Sequence, residues 1–285
     1  MIKAFVVGHP IKHSRSPLIH GYWLKRYGID GSYERIDVAP VDLDEFLVAL
    51  WPLGFVGGNV TIPHKEAVFE FLDNNKTERA QRVGAVNTLW YEDEGIELWG
   101  DNTDGLGFIA NLNQNLGTGW DQYVENVLVI GAGGAARGIV ASLQDHPLKR
   151  ILVANRTISK AEELVRDLER YGRVTLEALA WDDLDNALAR SQLIVNTTSL
   201  GMAGQPPLLL DLEKVPDDAI VSDIVYVPLR TPLLAAAEAR GLRTVDGLGM
   251  LLHQAVPGFE RWFGVRPEVT PELRALIVAD IEGPS

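Results

Sequence analysis

The sequence contains no cysteine. That removes disulfides, thiolate metal sites and cysteine nucleophiles together. Of its six histidines only His9 and His13 stand in an H-x-x-x-H spacing, and they flank Pro10 in an expected loop rather than one face of a helix, so no metal is expected. No apolar run approaches the roughly 20 residues that cross a bilayer as a helix. Met1 to Gly8 reads as a short strand, not as the apolar core of a secretory signal, so no membrane partner is expected and the expected setting is cytoplasmic. Positive charge is also scarce, with 26 Lys+Arg against 39 Asp+Glu and a formal net charge of −13. A nonspecific nucleic-acid binder needs a basic footprint, so no nucleic-acid partner is expected. An anionic small molecule would have to be captured by local charge against the overall field. No internal repeat and no low-complexity segment is present.

What remains is an ordinary globular composition, 46% hydrophobic and 23% charged, over 285 residues, enough for one large or two ordinary domains. The most informative stretch runs from Val127 to Thr157. Val127-Leu128-Val129-Ile130 suits a parallel strand buried on both faces. It runs into Gly131-Ala132-Gly133-Gly134-Ala135-Ala136-Arg137, a G-x-G-x-x-A turn opening a helix. Gly131 permits the tight turn, Gly133 lets the backbone approach a pyrophosphate, and Ala136 keeps helix and strand close. The free N–H groups of Gly134 and Ala135 at the helix start favour an anion. After the next strand, where an NAD site carries a carboxylate for the ribose 2′-OH, stands Asn155-Arg156-Thr157. No carboxylate repels a 2′-phosphate there, and the Arg156 guanidinium offers it a planar fork. NADP is therefore expected over NAD; a solvated Arg156 and a helix-capping Thr157 are the competing reading.

Elsewhere strands and helices alternate, as in a doubly wound parallel sheet. Strands are expected at Lys3 to Gly8, Ser32 to Val38, Phe55 to Pro63, Leu193 to Asn196, Ala219 to Val225 and Leu242 to Val245. Helices are expected at Leu18 to Tyr27, Val41 to Leu50 and Thr231 to Gly241. A turn is expected at Glu92 to Gly95, a capping box at Ser159-x-x-Glu162, and a kink or break at Pro257 in a long helix opened by Gly247-Leu248-Gly249-Met250. Ser14 and Ser16 can point hydroxyls the same way from an extended loop, or Ser16 can cap the helix that starts at Pro17. Lys65 beside a helix N-terminus is unfavourable with the dipole, so either function keeps it there or it is a plain surface lysine. Asp104 is placed to cap a helix, a contribution of about 1 kcal/mol.

Seven segments in this order carry a resemblance to the shikimate dehydrogenase family. They are Ser14-Arg15-Ser16-Pro17, Asn59 through Lys65, Gly84-Ala85-Val86-Asn87-Thr88, Asp101-Asn102-Thr103-Asp104-Gly105, Gly131 through Arg137, Asn155-Arg156-Thr157, and Asp246-Gly247-Leu248-Gly249-Met250 with Gln254. The resemblance implies an α/β protein of two domains. Residues 1–104 with 247–285 would form a substrate domain with a mainly parallel sheet, and 105–246 a Rossmann NADP-binding domain, with the active site in a cleft. It implies NADP-dependent, reversible reduction of 3-dehydroshikimate to shikimate. Lys65 and Asp104 match the family's catalytic dyad. Ser14 and Ser16 match its carboxylate-binding pair, with Tyr226 near that carboxylate. Asn59, Thr61, Asn87 and Gln254 match positions lining the substrate. Asn155, Arg156 and Thr157 match the 2′-phosphate clasp, and Gly131, Gly133, Gly134, Ala135 and Gly249 match cofactor-side positions. A quinate/shikimate dehydrogenase with broader substrate or NAD use, and a non-catalytic nucleotide-binding sensor, are the alternatives. A monomer or homodimer is expected. Gly105, Gly107, Gly247 and Gly249 are candidate hinges, or glycines demanded by packing at helix ends.

Overall fold

The structure, a computed structural model, describes residues 1–92 and 97–283. The turn expected at Glu92 to Gly95 falls on 93–96, outside the described residues. The chain divides into two compact units, Met1–Thr103 with Leu252–Ser285, and Asp104–Leu251.

The first unit is built on a five-stranded sheet in the order β2-β1-β3-β4-β5, comprising β1 (Ile2–Gly8), β2 (Gly31–Asp37), β3 (Phe55–Val60), β4 (Thr88–Glu92) and β5 (Glu97–Asp101). β1 pairs in parallel with β2 and β3, and β4 alone runs against its neighbours. Alternation along β1 sends Phe5 and Val7 into a cluster with Leu43 and Leu47 of α2 (Leu43–Ala49) and Val68 of α3 (Lys65–Phe71). A second cluster is aromatic. His20 and Trp23 of α1 (Ser16–Tyr27), Tyr33 of β2, and Phe259 and Trp262 of α11 (Val256–Phe263) meet ring to ring. α1 ends on Gly28 at φ 64°, the left-handed cap that glycine supplies without strain. α4 (Glu78–Val83) starts on a Thr77 hydroxyl that accepts from Ala80 N, and α12 (Pro271–Glu282) on a Thr270 hydroxyl that accepts from Leu273 N.

The second unit carries a six-stranded, all-parallel sheet in the order β11-β10-β9-β6-β7-β8. The strands are β6 (Asn126–Ile130), β7 (Arg150–Ala154), β8 (Thr175–Leu179), β9 (Leu193–Asn196), β10 (Ile220–Asp223) and β11 (Arg243–Val245). Counted from β6 this is the 3-2-1-4-5-6 order of the doubly wound dinucleotide fold, with the reversal between β6 and β9. Val127, Leu128, Val129 and Ile130 are all fully buried, as a strand covered on both faces requires. α8 (Leu184–Leu188) and α9 (Pro232–Ala239) cover the face of Leu128, Ile130, Ile194 and Val221.

Three local expectations are corrected. Ser159 does not open a capping box. α7 (Ile158–Leu168) begins one residue earlier, so Ser159 lies inside the first turn, and Thr157 holds the cap position without a side-chain cap bond. Ser16 does not cap α1, because the helix already includes it and Arg15 stands at the cap position. Val41 to Leu50 is not one helix, since Pro40–Asp42 forms a 3-10 turn before α2. The expected break at Pro257 is present: α10 (Leu248–Gln254) stops, and α11 restarts with proline in its first turn.

Candidate functional site

The predicted residues fall into both units. Ser14, Ser16, Asn59, Thr61, Lys65, Asn87 and Gln254 belong to the first. Asp104, Tyr226, Gly131, Gly133, Gly134, Ala135, Asn155, Arg156, Thr157 and Gly249 belong to the second.

In the first unit the ends of parallel strands present the polar residues. Ser14 sits in the loop after β1, where its backbone N–H bonds Ile11 O at 3.0 Å and its carbonyl accepts from Arg35 Nε at 2.8 Å. The Ser16 N–H reaches back to Ser14 Oγ at 3.4 Å. Thr61 follows β3, its N–H bonded to Val7 O at 2.9 Å. Lys65 is half-buried and opens α3, and its carbonyl accepts from Val86 N at 2.9 Å. Beside it, buried His64 donates from Nε2 to Val38 O at 2.8 Å, pinning the helix start. Asn59 and Asn87 are almost fully buried, at 5% and 2% exposure. The Asn59 amino group donates to Asn87 O at 3.1 Å and Thr88 Oγ1 at 3.3 Å, while its Oδ1 accepts from Tyr33 Oη at 2.6 Å. Asn87 Oδ1 accepts from Thr88 Oγ1 at 2.9 Å and Thr103 N at 2.9 Å. Thr103 Oγ1 lies 2.9 Å from Gln254 O, and so ties the end of α10 to this group.

In the second unit Gly131 has φ 114°, and a Cβ there would lie 2.5 Å from Thr197 Oγ1. Only glycine makes this turn at the point where the strand order reverses. Gly133 and Gly134 have no neighbour within 4 Å of a Cβ position, and neither has a positive φ. Their side-chain-free surface leaves open the N-terminus of α6 (Gly134–Leu143), the cradle that a dinucleotide pyrophosphate needs. Asn155 turns its Nδ2 back onto Thr157 O at 2.8 Å. Exposed Arg156 makes no ion pair among the described residues, although the chain is strongly acidic. Arg137, by contrast, is engaged by Asp167 at 2.8 Å, so its charge is already compensated. These residues fit an NADP adenosine end: an open helix start, a glycine turn, and an uncommitted guanidinium where a carboxylate would select NAD.

Asp104 is the first residue of α5 (Asp104–Leu116), and Tyr226 follows β10. The Tyr226 loop is held by buried Asp223, which accepts from Asn196 Nδ2, Val225 N and Thr231 Oγ1 at 2.9, 3.0 and 2.7 Å. Burial raises the Asp223 carboxyl from its ordinary value, against those three donors. Gly249 is glycine for a packing reason, since a Cβ would lie 1.8 Å from Asn111 Oδ1. Similar close approaches account for Gly105, 1.9 Å from Ser142 Oγ, and Gly247, 2.2 Å from Ile224 O.

Sequence reasoning missed Tyr33, Thr88, Thr103 and Asp223, which hold the named residues in place. Thr88 and Thr103 stood inside two of the seven family segments without a role of their own, while Tyr33 and Asp223 lay outside them.

The second unit is thus a dinucleotide-binding domain of the Rossmann type, joined in one chain to a smaller α/β unit bearing a lysine and buried amides. Three family profiles match in order: the shikimate dehydrogenase substrate binding domain over 6–89, shikimate/quinate 5-dehydrogenase over 114–203, and the shikimate 5′-dehydrogenase C-terminal domain over 247–276. The chain is 58% identical to the shikimate dehydrogenase (NADP(+)) of Methylobacterium radiotolerans, covering 99% of this chain and 98% of that protein. Among solved structures it is similar to the Thermus thermophilus shikimate 5-dehydrogenase in complex with NADP(H) and shikimate. That match has TM-score 0.84 and 33% identity, covering 99% of this chain and 100% of the other. It is similar too to a quinate dehydrogenase of Corynebacterium glutamicum in complex with NAD, with TM-score 0.89 and 31% identity over 98% and 99% of the two chains. The chain belongs to the shikimate dehydrogenase family.

Proposed function

We propose that this protein is an NADP-dependent oxidoreductase that interconverts 3-dehydroshikimate and shikimate, a step of aromatic amino acid biosynthesis. The observation that carries the reading is Lys65 at the head of α3, pinned through Val86 and His64 in the same unit as Asn59, Asn87 and Gln254. Near full-length identity of 58% to a shikimate dehydrogenase (NADP(+)) supports it. Asn155 and the unpaired Arg156 favour NADP over the NAD of the quinate-type relative.

When bound, the nicotinamide supplies the group that exchanges hydride with the carbinol carbon. The chain manages the remaining proton and charge. The Lys65 ammonium hydrogen-bonds the reacting oxygen, stabilises its developing negative charge and exchanges the proton with it. Asp104 holds that ammonium in register. Ser14, Ser16 and Tyr226 take the substrate carboxylate, and Thr61, Asn87 and Gln254 orient its hydroxyls, with Asn59 behind them. Gly131, Gly133, Gly134 and Ala135 accept the pyrophosphate, Asn155, Arg156 and Thr157 the 2′-phosphate, and Gly249 lies on the cofactor side. A cytoplasmic setting and a monomeric or homodimeric state belong to the same reading. Among the described residues no helix is long and apolar enough to cross a membrane.

A positioned acid/base contributes about 10²–10⁴ in rate. Lys65→Ala is expected to lose that much in kcat while keeping its circular dichroism and its shikimate affinity within severalfold. Turnover within threefold of the parent would remove Lys65 from the reaction.

A further inference from the structure

The buried bonds of the first unit admit one consistent direction of proton donation. Burial pushes the Tyr33 phenol well above its ordinary value, with Ser16 and Asn59 acting in the opposite sense, so it is an O–H donor at neutral pH. It donates to Asn59 Oδ1. That identifies the other end of the amide as the amino group, which donates to Asn87 O and Thr88 Oγ1. Thr88, having accepted there, has one proton, which goes to Asn87 Oδ1 at 2.9 Å rather than to Thr103 Oγ1 at 3.3 Å. Asn87 Oδ1 also takes the Thr103 N–H, which fills both of its lone pairs. The Thr103 hydroxyl then has its proton for Gln254 O at 2.9 Å rather than for Asn87 Oδ1 at 3.1 Å. Neither the Asn59 nor the Asn87 amide can flip without leaving a buried group of this set unmatched.

We propose that Tyr33 and Thr103 are positioning residues for the substrate: the relay of bonds that runs from Tyr33 and meets the Thr103 N–H at Asn87 Oδ1 fixes which way the Asn59 and Asn87 amides face, and the Thr103 hydroxyl holds the backbone carbonyl of Gln254. This rests on the shikimate dehydrogenase reading. Both Asn59 amino hydrogens are spent inside the relay, so Asn59 is a strut for Asn87. The Asn87 carbonyl is turned inward, which makes its amino group the end directed away from the relay. Thr103 precedes Asp104 directly, so the same threonine anchors the backbone from which the proposed Lys65 partner extends.

The test compares Thr103→Val, Thr103→Ser and Tyr33→Phe with the parent in full steady-state kinetics. Thr103→Val and Tyr33→Phe are expected to raise KM for shikimate at least tenfold and to leave KM for NADP within twofold. Thr103→Ser, which keeps the hydroxyl, should stay within threefold of the parent in both. A general loss of structure would move both KM values and would not be rescued by serine. The proposal is overturned if either hydroxyl deletion, folded, keeps KM for shikimate within twofold, or if serine behaves like valine. Should Thr103→Val fail to fold, Tyr33→Phe decides alone, since it removes one oxygen from a ring that keeps its stack on His20. Should the unmodified protein fail to oxidise shikimate, the functional reading falls and the relay is judged by side-chain amide NMR. Asn59 amino protons protected from exchange in the parent and unprotected in Tyr33→Phe support it; unprotected protons in the parent overturn it.

Discussion

His20 lies parallel to Tyr33, with ring centroids 4.0 Å apart and planes 12° apart. Trp23, Phe259 and Trp262 complete its surroundings. Neither ring nitrogen makes a hydrogen bond of full geometry with the described residues. Burial lowers its pKa from 6.5 to about 3, with Asn59 offsetting part of the effect. The ring is therefore neutral in the folded state, as a histidine stacked between apolar rings must be. The unfolded chain takes up a proton as pH falls through 6.5, and the native state does so only near 3. His20 thus contributes stability that is fully present above pH 6.5 and is lost progressively as pH falls toward 3. His253, lowered by burial to about 4, acts in the same direction. Between pH 7 and 5 the His20 share is about 2 kcal/mol, or several degrees in melting temperature. His20→Phe, an aromatic ring that does not titrate, should lose distinctly less melting temperature over that interval than the parent. Equal losses would mean that His20 does not couple folding to pH.

At the scale of elements, periodicity and end signals found most of the helices and strands. Val127–Ile130 announced β6 by apolar continuity, and Thr231-Pro232 announced a helix start whose threonine cap is in place. Ser159 misled because a capping box depends on where the first turn begins, and that position was set by packing of Ala161, Leu164 and Leu168. The substrate-side motifs were legible, but the bonds between them were not: Thr103 to Gln254 spans 151 residues, a pairing that only the tertiary fold creates. Gly249 was legible as a motif residue and not as a packing residue. Replacing a helical glycine by alanine ordinarily stabilises by about 1 kcal/mol. At Gly249 the new Cβ would lie 1.8 Å from Asn111 Oδ1, whose amino group is already committed to Asp246 O at 2.7 Å. Gly249→Ala should therefore destabilise, by about 1–3 kcal/mol as in overpacked cores. In an Asn111→Ala background the same change should cost less, a coupling that a double-mutant cycle in denaturant reads directly. A stabilised single variant would contradict the close approach.

At the scale of the molecule, charge and topology act together. A net charge of −13 repels an anionic dinucleotide and an anionic substrate alike, so binding must rest on a few local groups. In the second unit the groups proposed for this are the open start of α6 and Arg156. The 3-2-1-4-5-6 strand order puts the Gly131 turn at the reversal between β6 and β9, the place where a doubly wound sheet binds its ligand. In the first unit Arg35 holds the Ser14 loop from the neighbouring strand. The proposed matched pair is shikimate with NADP.

The most direct measurement is absorbance in the reduced-nicotinamide band, with purified protein and shikimate or quinate, each with NADP or NAD. Rapid reduction is expected with shikimate and NADP, and little in the other three mixtures. Preference for quinate and NAD would contradict both the substrate assignment and the role of Asn155 and Arg156, and no turnover in any mixture from folded protein would contradict the catalytic role of Lys65 and Asp104.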